Sequence, residues 1–331
     1  MDYKKIGKSI LSLIVVSVFL VAFTGCTEII KDGDASKKIN PVVGECATDS
    51  VNSGNTAWPA ENPKITLLGA IDNDSQCIDG KTTVVTERVA YPNAVAGDSA
   101  RGKVYVSDRY GVKEIDEATK SVKFLGDAKD ARGLAVASNG DVYVADAATK
   151  TIQVYSNGAL SATIGAGELS NPHGLALDEA NQRIYVVDVA VSKVIGFGLN
   201  GEKEVELTGL KVPAGAAVNS KGNIYVTQFD GPHVQVFNPA GDKLFDFAPH
   251  GKQSGTLQRP KGIAIDSDDN VYVADMAFNN VQVFDAQGNA LTYIGPGQFL
   301  LPALVSIDNN DTIWVAEKGA QRVQIFQYNG N

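Results

Sequence analysis

The chain repeats itself, and the repeat limits what it can fold into more than any other feature. The segment RPKGIAIDSDDNVYVADMAFNNVQVF (259–284) is the cleanest copy. It aligns with NPHGLALDEANQRIYVVDVAVSKVIGF, VPAGAAVNSKGNIYVTQFDGPHVQVF and LPALVSIDNNDTIWVAEKGAQRVQIF, and two looser copies begin at Tyr91 and Asp130. The aromatic of the Tyr-Val motif falls at Tyr105, Tyr143, Tyr185, Tyr225, Tyr272 and Trp314, at spacings of 38, 42, 40, 47 and 42 residues. A period near forty residues signals an array of equal supersecondary units.

Each unit reads as strands. Ile263–Ile265, Val271–Val273 and Val281–Phe284 are β-branched and aromatic runs with period-two character, separated by Asp/Asn turns. A fourth strand ends in an apolar residue and glycine, as at Leu125-Gly126, Ile164-Gly165 and Ile294-Gly295. Four short antiparallel strands per unit, closed radially, protect every sheet edge. The expected fold is an all-β, six-bladed propeller over residues 61–331. The last unit lacks its fourth strand, and ITLLG (65–69) has the matching ending, so it is expected to close the ring. Six in-register copies of this motif resemble the NHL-repeat propellers. That resemblance implies the fold and leaves function open.

The first residues are an address. Lys4, Lys5 and Lys8 precede an apolar run from Ile10 to Phe23 that ends in Thr24-Gly25-Cys26. That layout reads as a secretory signal peptide over 1–25. The small residues before Cys26 resemble a bacterial lipobox, except that Phe23 stands where Leu is usual. The resemblance implies lipidation at Cys26, and Thr27 after it implies sorting to the outer membrane. Residues 26–60 are polar and read as a flexible tether. Cys46 and Cys77 are then left in an oxidising compartment, as a disulfide or as two free thiols.

The net charge of −9 argues against a nucleic-acid partner. No cofactor motif is present, and no Cys/His cluster has metal-ligand spacing.

Candidate site residues follow from the blade pattern. The loops before each first strand and after each second strand share one face, here called the top. The middle residue of the Pro-x-Gly slot there is Asn93, Arg132, His173, Ala214, Lys261 and Ala303 around the ring. NPHGLALD and VYVSDRY resemble the NHL-repeat amidating lyases, in which histidines on three alternate blades bind zinc. Here the alternates of His173 are Asn93 and Lys261, so the resemblance does not extend to a zinc site, and no metal is expected. His173, His233 and His250 read either as solvated loop histidines or, for His173, as part of an Arg132/His173/Lys261 funnel that attracts a small anion. Asp108, Asp146, Asp188 and Asp275 recur at the end of the second strand and read as loop caps; DSDDN and DNND read as turn carboxylates.

Apolar residues where loops should be polar mark a partner surface. These are Val189, Phe229, Met276, Phe278 and Phe299, with Phe278 and Phe299 alternatively plugging the channel. Residues 70–91 form an insertion expected at the top, as a lid or as filler. The expected function is a lipid-anchored, non-enzymatic envelope protein that binds a protein partner through this face. The lead-in WPAENPKITLLG is similar to that of exported NHL-repeat lipoproteins of metal-respiring bacteria. It implies a scaffold or accessory subunit of an outer-membrane complex, an extracellular electron-transfer one in its most concrete form. The alternative is a sensor of a small anion or carbohydrate, and after that a lyase- or lactonase-like enzyme.

Overall fold

The computed structural model describes residues 65–328, apart from 72–74, 79–80, 85–88, 90, 109, 120, 127 and 296–298. The leader, the tether, Cys26 and Cys46 lie outside the described residues. Twenty-six strands and no helix are described. They form six antiparallel sheets. The innermost strands are Ala94–Asp98, Ala131–Val136, Pro172–Asp178, Pro213–Val218, Pro260–Ile265 and Pro302–Ile307. Each packs against the next, and the sixth packs against the first. The ring is closed, as the repeat requires.

Closure runs through the expected strand. Ile65–Ile71 pairs antiparallel with Arg322–Tyr328, the third strand of the last blade, with Leu67 opposite Phe326. The described strands of the insertion that follows do not lie over the top. Ser75–Ile78 and Lys81–Val84 make a hairpin that pairs onto Ile65–Ile71 and extends the last sheet outward to six strands. A polar segment next to an open strand edge satisfies its backbone most readily by joining the ladder. Cys77 sits in this hairpin, opposite Ala70 and Thr82.

The Tyr-Val aromatics are the core of the ring. Tyr185, Tyr225, Tyr272 and Trp314 are fully buried, and Tyr105 and Tyr143 nearly so. Burying each is worth on the order of 2–3 kcal/mol. Two of their polar ends are anchored by turn carboxylates: Tyr272 Oη donates to Asp266 Oδ2 (2.9 Å) and Trp314 Nε1 to Asp308 Oδ2 (3.0 Å). The DSDDN and DNND carboxylates therefore hold turns and anchor aromatics. Asp266 Oδ1 also accepts from the backbone N–H of Asp268 and Asn270.

Glycines of the Pro-x-Gly slot let the inner strands meet. A Cβ on Gly262 would lie 2.5 Å from Leu304 Cα, and one on Gly215 would lie 2.6 Å from the Lys261 carbonyl oxygen. Below this glycine row, the inner strands enclose a cavity of about 390 Å³, lined by residues such as Leu134, Val136, Leu177, Ile263 and Ile265. Asp98, Glu179 and Asp308 rim its lower end, where the first strands turn into the second. No described helix is long and apolar enough to cross a membrane.

Candidate functional site: a cationic mouth at the top of the channel

The loops that end the second strands are built alike. A buried acid or amide caps the preceding inter-blade loop. Asp275 Oδ2 accepts from Gln258 N (2.7 Å), and its Oδ1 accepts from Ala277 N (2.9 Å) and Phe278 N (3.2 Å). Asp188 accepts from the amides of Ser170 and Asn171, Glu317 from that of Leu300, and Gln228 from that of Lys211. These side chains are fully buried and spent on structure.

The residue after each cap is pinned in the same way. Its amide donates to a carbonyl of the preceding inter-blade loop: Ala147 to Asp130, Val189 to Asn171, Phe229 to Val212, Met276 to Arg259 and Lys318 to Leu301. One backbone geometry therefore presents a small residue, three apolar ones and a lysine in turn.

Lys318 turns this slot into part of a site. Its charge acts on Lys261, and the charges of Arg132 and Asp130 act on it in turn. Lys261 itself starts the inner strand of the fifth blade. Its carbonyl accepts from the buried Thr227 Oγ1 at 2.6 Å, which fixes the backbone. Arg132 donates from Nη1 to His173 Nε2 (2.6 Å), and from Nε and Nη2 to the two oxygens of Asp130 (2.9 and 2.7 Å). A guanidinium can only donate. His173 Nε2 is therefore unprotonated, and Nδ1 carries the proton.

Three of the six slot residues thus converge: Arg132, His173 and Lys261. Asn93 does not join them, since its amide is turned to the Ala131 carbonyl (3.4 Å). Asp130 and Lys318 escaped the sequence reading. Lys318 was legible, because it holds the position that reads Val189, Phe229 and Met276 in other blades. Asp130 had no repeat signal.

The electrostatics follow from like charges brought together out of water. Burial first, then the Arg132 and Lys261 charges, hold His173 down to about 4, so it is neutral. Burial first, then the Lys318 ammonium, lower Lys261 to about 7. Burial lowers Lys318 as well. The Arg132 guanidinium holds the Asp130 carboxyl below its usual range. Asp130, already held bidentately by Arg132, is a carboxylate that acts on both His173 and Lys318.

The other expected site residues are placed differently. Phe299 is buried in the core with its ring against Phe326, centroids 5.5 Å apart, so it is neither a surface contact nor a channel plug. An isolated large aromatic loop residue gains more from the gap between two blades than from solvent. Val189 packs on the core below it. Phe229, Met276 and Phe278 are half-buried, and Arg259 lies over the Phe229 ring, 6.0 Å from its centroid. The exposed apolar groups of this face are Tyr91, Tyr110, Val191, Val212, Leu300 and Leu301. Tyr91, Val212 and Leu301 each precede a proline and adopt positive φ. His233 is not solvated: it is buried, with Nδ1 donating to the Gln228 carbonyl (2.9 Å) and Nε2 paired with His250 Nδ1 (3.2 Å). Among the described residues, no group of three His, Cys, Asp or Glu is placed to hold a metal ion.

The comparisons with known proteins agree with this architecture. The NHL repeat model matches residues 129–155 and 257–284. No curated protein sequence matches the chain. Among solved structures, a protein of unknown function from Bacteroides thetaiotaomicron is similar at 17% identity and a TM-score of 0.62, over 80% of this chain and 75% of that one. Virginiamycin B lyase from Staphylococcus aureus is similar at 16% identity and a TM-score of 0.55, over 73% of this chain and 97% of that one. The hydrazine synthase of Kuenenia stuttgartiensis is similar at 12% identity and a TM-score of 0.55, over 73% and 97%. At these identities the likeness concerns the fold alone. With the motif matches, the six copies in the sequence and the closed ring of blades, the chain is a six-bladed β-propeller built from NHL repeats.

Proposed function

We propose that this propeller is a binding protein that takes a small anionic ligand, of the carboxylate class, in the mouth of its channel. The observation that carries the reading is the charge imbalance there. The charges of Arg132, Lys261 and Lys318 act on one another, and Asp130 is already engaged by Arg132. A site that holds cations against their own repulsion is paid back when an anion enters. His173 acts by holding Arg132 in place, since a neutral imidazole accepts one guanidinium N–H and leaves the charge intact. The test is thermal unfolding and calorimetry with acetate, lactate and phosphate, beside a Lys261→Met/Lys318→Met double variant. Saturating anion at a hundredfold excess over Kd stabilises the native protein by about 2.7 kcal/mol. Equal stabilisation of the double variant would sink the proposal.

A second reading is favoured by the rim. Val191, Val212, Leu300 and Leu301 are exposed on the face that surrounds the mouth, and such a patch suits a protein partner in an envelope complex. Affinity purification beside Val191→Asp/Leu300→Asp tests it: a partner lost with the variant supports a scaffold role, and identical recovery removes it. Both readings place the protein on a lipid anchor at Cys26, on the outer membrane. Mass spectrometry of the mature N-terminus checks this, and Cys26→Ala is expected to release the protein from the membrane fraction.

A further inference from the structure

We propose that His233 and His250 form a two-histidine site for a late first-row divalent cation, copper(II) or zinc(II), between the loops of the fourth and fifth blades. The site uses residues that take no part in the channel mouth, and it stands or falls independently of the anion reading.

His233 is buried and fixed at three points. Its carbonyl accepts from Gln228 N (2.9 Å), its own amide donates to the Ala248 carbonyl (3.2 Å), and its Nδ1 donates to the Gln228 carbonyl (2.9 Å). A carbonyl can only accept, so Nδ1 carries the proton and Nε2 is left as a bare lone pair. That lone pair is turned to His250 Nδ1, 3.2 Å away. A ring N–H locked on a backbone carbonyl fixes the tautomer and aims the other nitrogen, as it does in metal-bound histidines. Two nitrogens held about 2.0–2.1 Å from a tetrahedral zinc ion lie about 3.3 Å from each other. The two imidazoles already have that bite. Their rings are tilted by 55° with centroids 5.5 Å apart, so they are not stacked face to face.

The second ligand is held by its own loop. Leu257 N donates to the Pro249 carbonyl (3.1 Å), Gly251 N to the Leu257 carbonyl (3.1 Å) and Gln282 Nε2 to the Thr256 carbonyl (2.7 Å), with Leu257 fully buried. His250 is exposed, so a cation can enter from solvent. The repeat does not call for a histidine before the third strand. The position of His233 reads Thr151, Lys193, Asn280 and Arg322 in other blades. Imidazole nitrogens suit copper, nickel and zinc, whereas calcium and magnesium take oxygen. Among the described residues no third His, Cys, Asp or Glu joins the pair. Water or an incoming ligand therefore completes the coordination, and copper(II), highest in the divalent affinity order, is held most tightly. In the neutral pair the His250 Nδ1–H donates to His233 Nε2. On binding, that proton moves through solvent to His250 Nε2. Both facing lone pairs then go to the metal, and no net proton is released.

The experiment is a copper(II) titration of the full-length protein, purified without a histidine tag and read by calorimetry and electron paramagnetic resonance. The chain has three histidines, so His250→Ala is measured beside His173→Gln. The expected result is one bound copper with hyperfine splitting from two imidazole nitrogens. Its affinity should fall at least about tenfold in His250→Ala and stay unchanged in His173→Gln. Zinc(II) should slow hydrogen exchange in 228–234 and 249–258 together, because one ion ties both loops. Splitting from a single nitrogen, equal affinity in His250→Ala, or failure of both ions to bind overturns the site. Circular dichroism checks the fold of each variant, and the nitrogen count in the unaltered protein decides the outcome even where a variant misfolds.

Discussion

Arg132 Nη1 donates to His173 Nε2 across 2.6 Å, joining the inner strands of two adjacent blades at the top of the channel. The bond requires a neutral imidazole, and this gives the protein a pH signature. His173 is held down to about 4 and Lys261 to about 7, so the folded state binds fewer protons than the unfolded chain in two windows. Where the unfolded state binds more protons, stability rises with pH. Stability is therefore expected to rise from about pH 4 to 6.5 through His173 and again from about pH 7 to 10 through Lys261. His173→Gln should flatten the first rise and Lys261→Met the second, as read by urea unfolding across pH. Unchanged slopes would contradict the assignment.

Asp275 caps a loop rather than doing chemistry. It accepts backbone N–H bonds from Gln258, Ala277 and Phe278 with no exposure to solvent. Asp275→Asn keeps the shape and removes the charge, and is expected to cost roughly 1.5–3 kcal/mol. Hydrogen exchange should speed up in 255–261 and 275–280 while the opposite blades stay protected.

The glycine of the slot is set by its neighbour's backbone. Gly262→Ala would put a methyl 2.5 Å from Leu304 Cα and 2.7 Å from Val305 N, and a backbone cannot turn aside as a side chain can. An overpacking cost of at least about 1–3 kcal/mol follows, visible as a drop in Tm. A neutral outcome would mean that the fifth and sixth blades do not approach this closely.

Val212 adopts φ of 54° while exposed on the rim. A β-branched residue in the left-handed region costs about 1–2 kcal/mol. Val212→Gly should remove that strain and raise Tm, offset in part by the extra freedom of glycine in the unfolded chain. If Val212 also contacts a partner, the same variant weakens partner recovery. Gain of stability with loss of binding would mark strain kept for function.

Removal of the Ile65–Ile71 strand leaves Arg322–Tyr328 without its outer neighbour. The opened edge is expected to unfold the last blade first and to promote aggregation through strand pairing. Light scattering on a chain that starts after residue 84 checks this. Adding back a peptide of residues 65–84 should suppress the scattering.

The sequence by itself determined the ring. Six aromatic-Val motifs at near-equal spacing can bury their faces only against one another, and ITLLG could be matched to the blade that lacked a strand. The caps at Asp146, Asp188 and Asp275 were legible for the same reason: a residue type that recurs from unit to unit serves what the units share. Function sits in what the units do not share, and there the pattern weakens. Only the tertiary structure decided that Phe299 belongs to the core, because a loop aromatic's fate depends on whether two blades leave a gap for its ring. It decided that 75–84 joins a sheet edge rather than covering the mouth. It also brought Lys318 to Lys261, 57 positions apart in the chain. Radial closure makes neighbours of residues from different blades, and their charges acquire shifted protonation only when that closure removes the water between them.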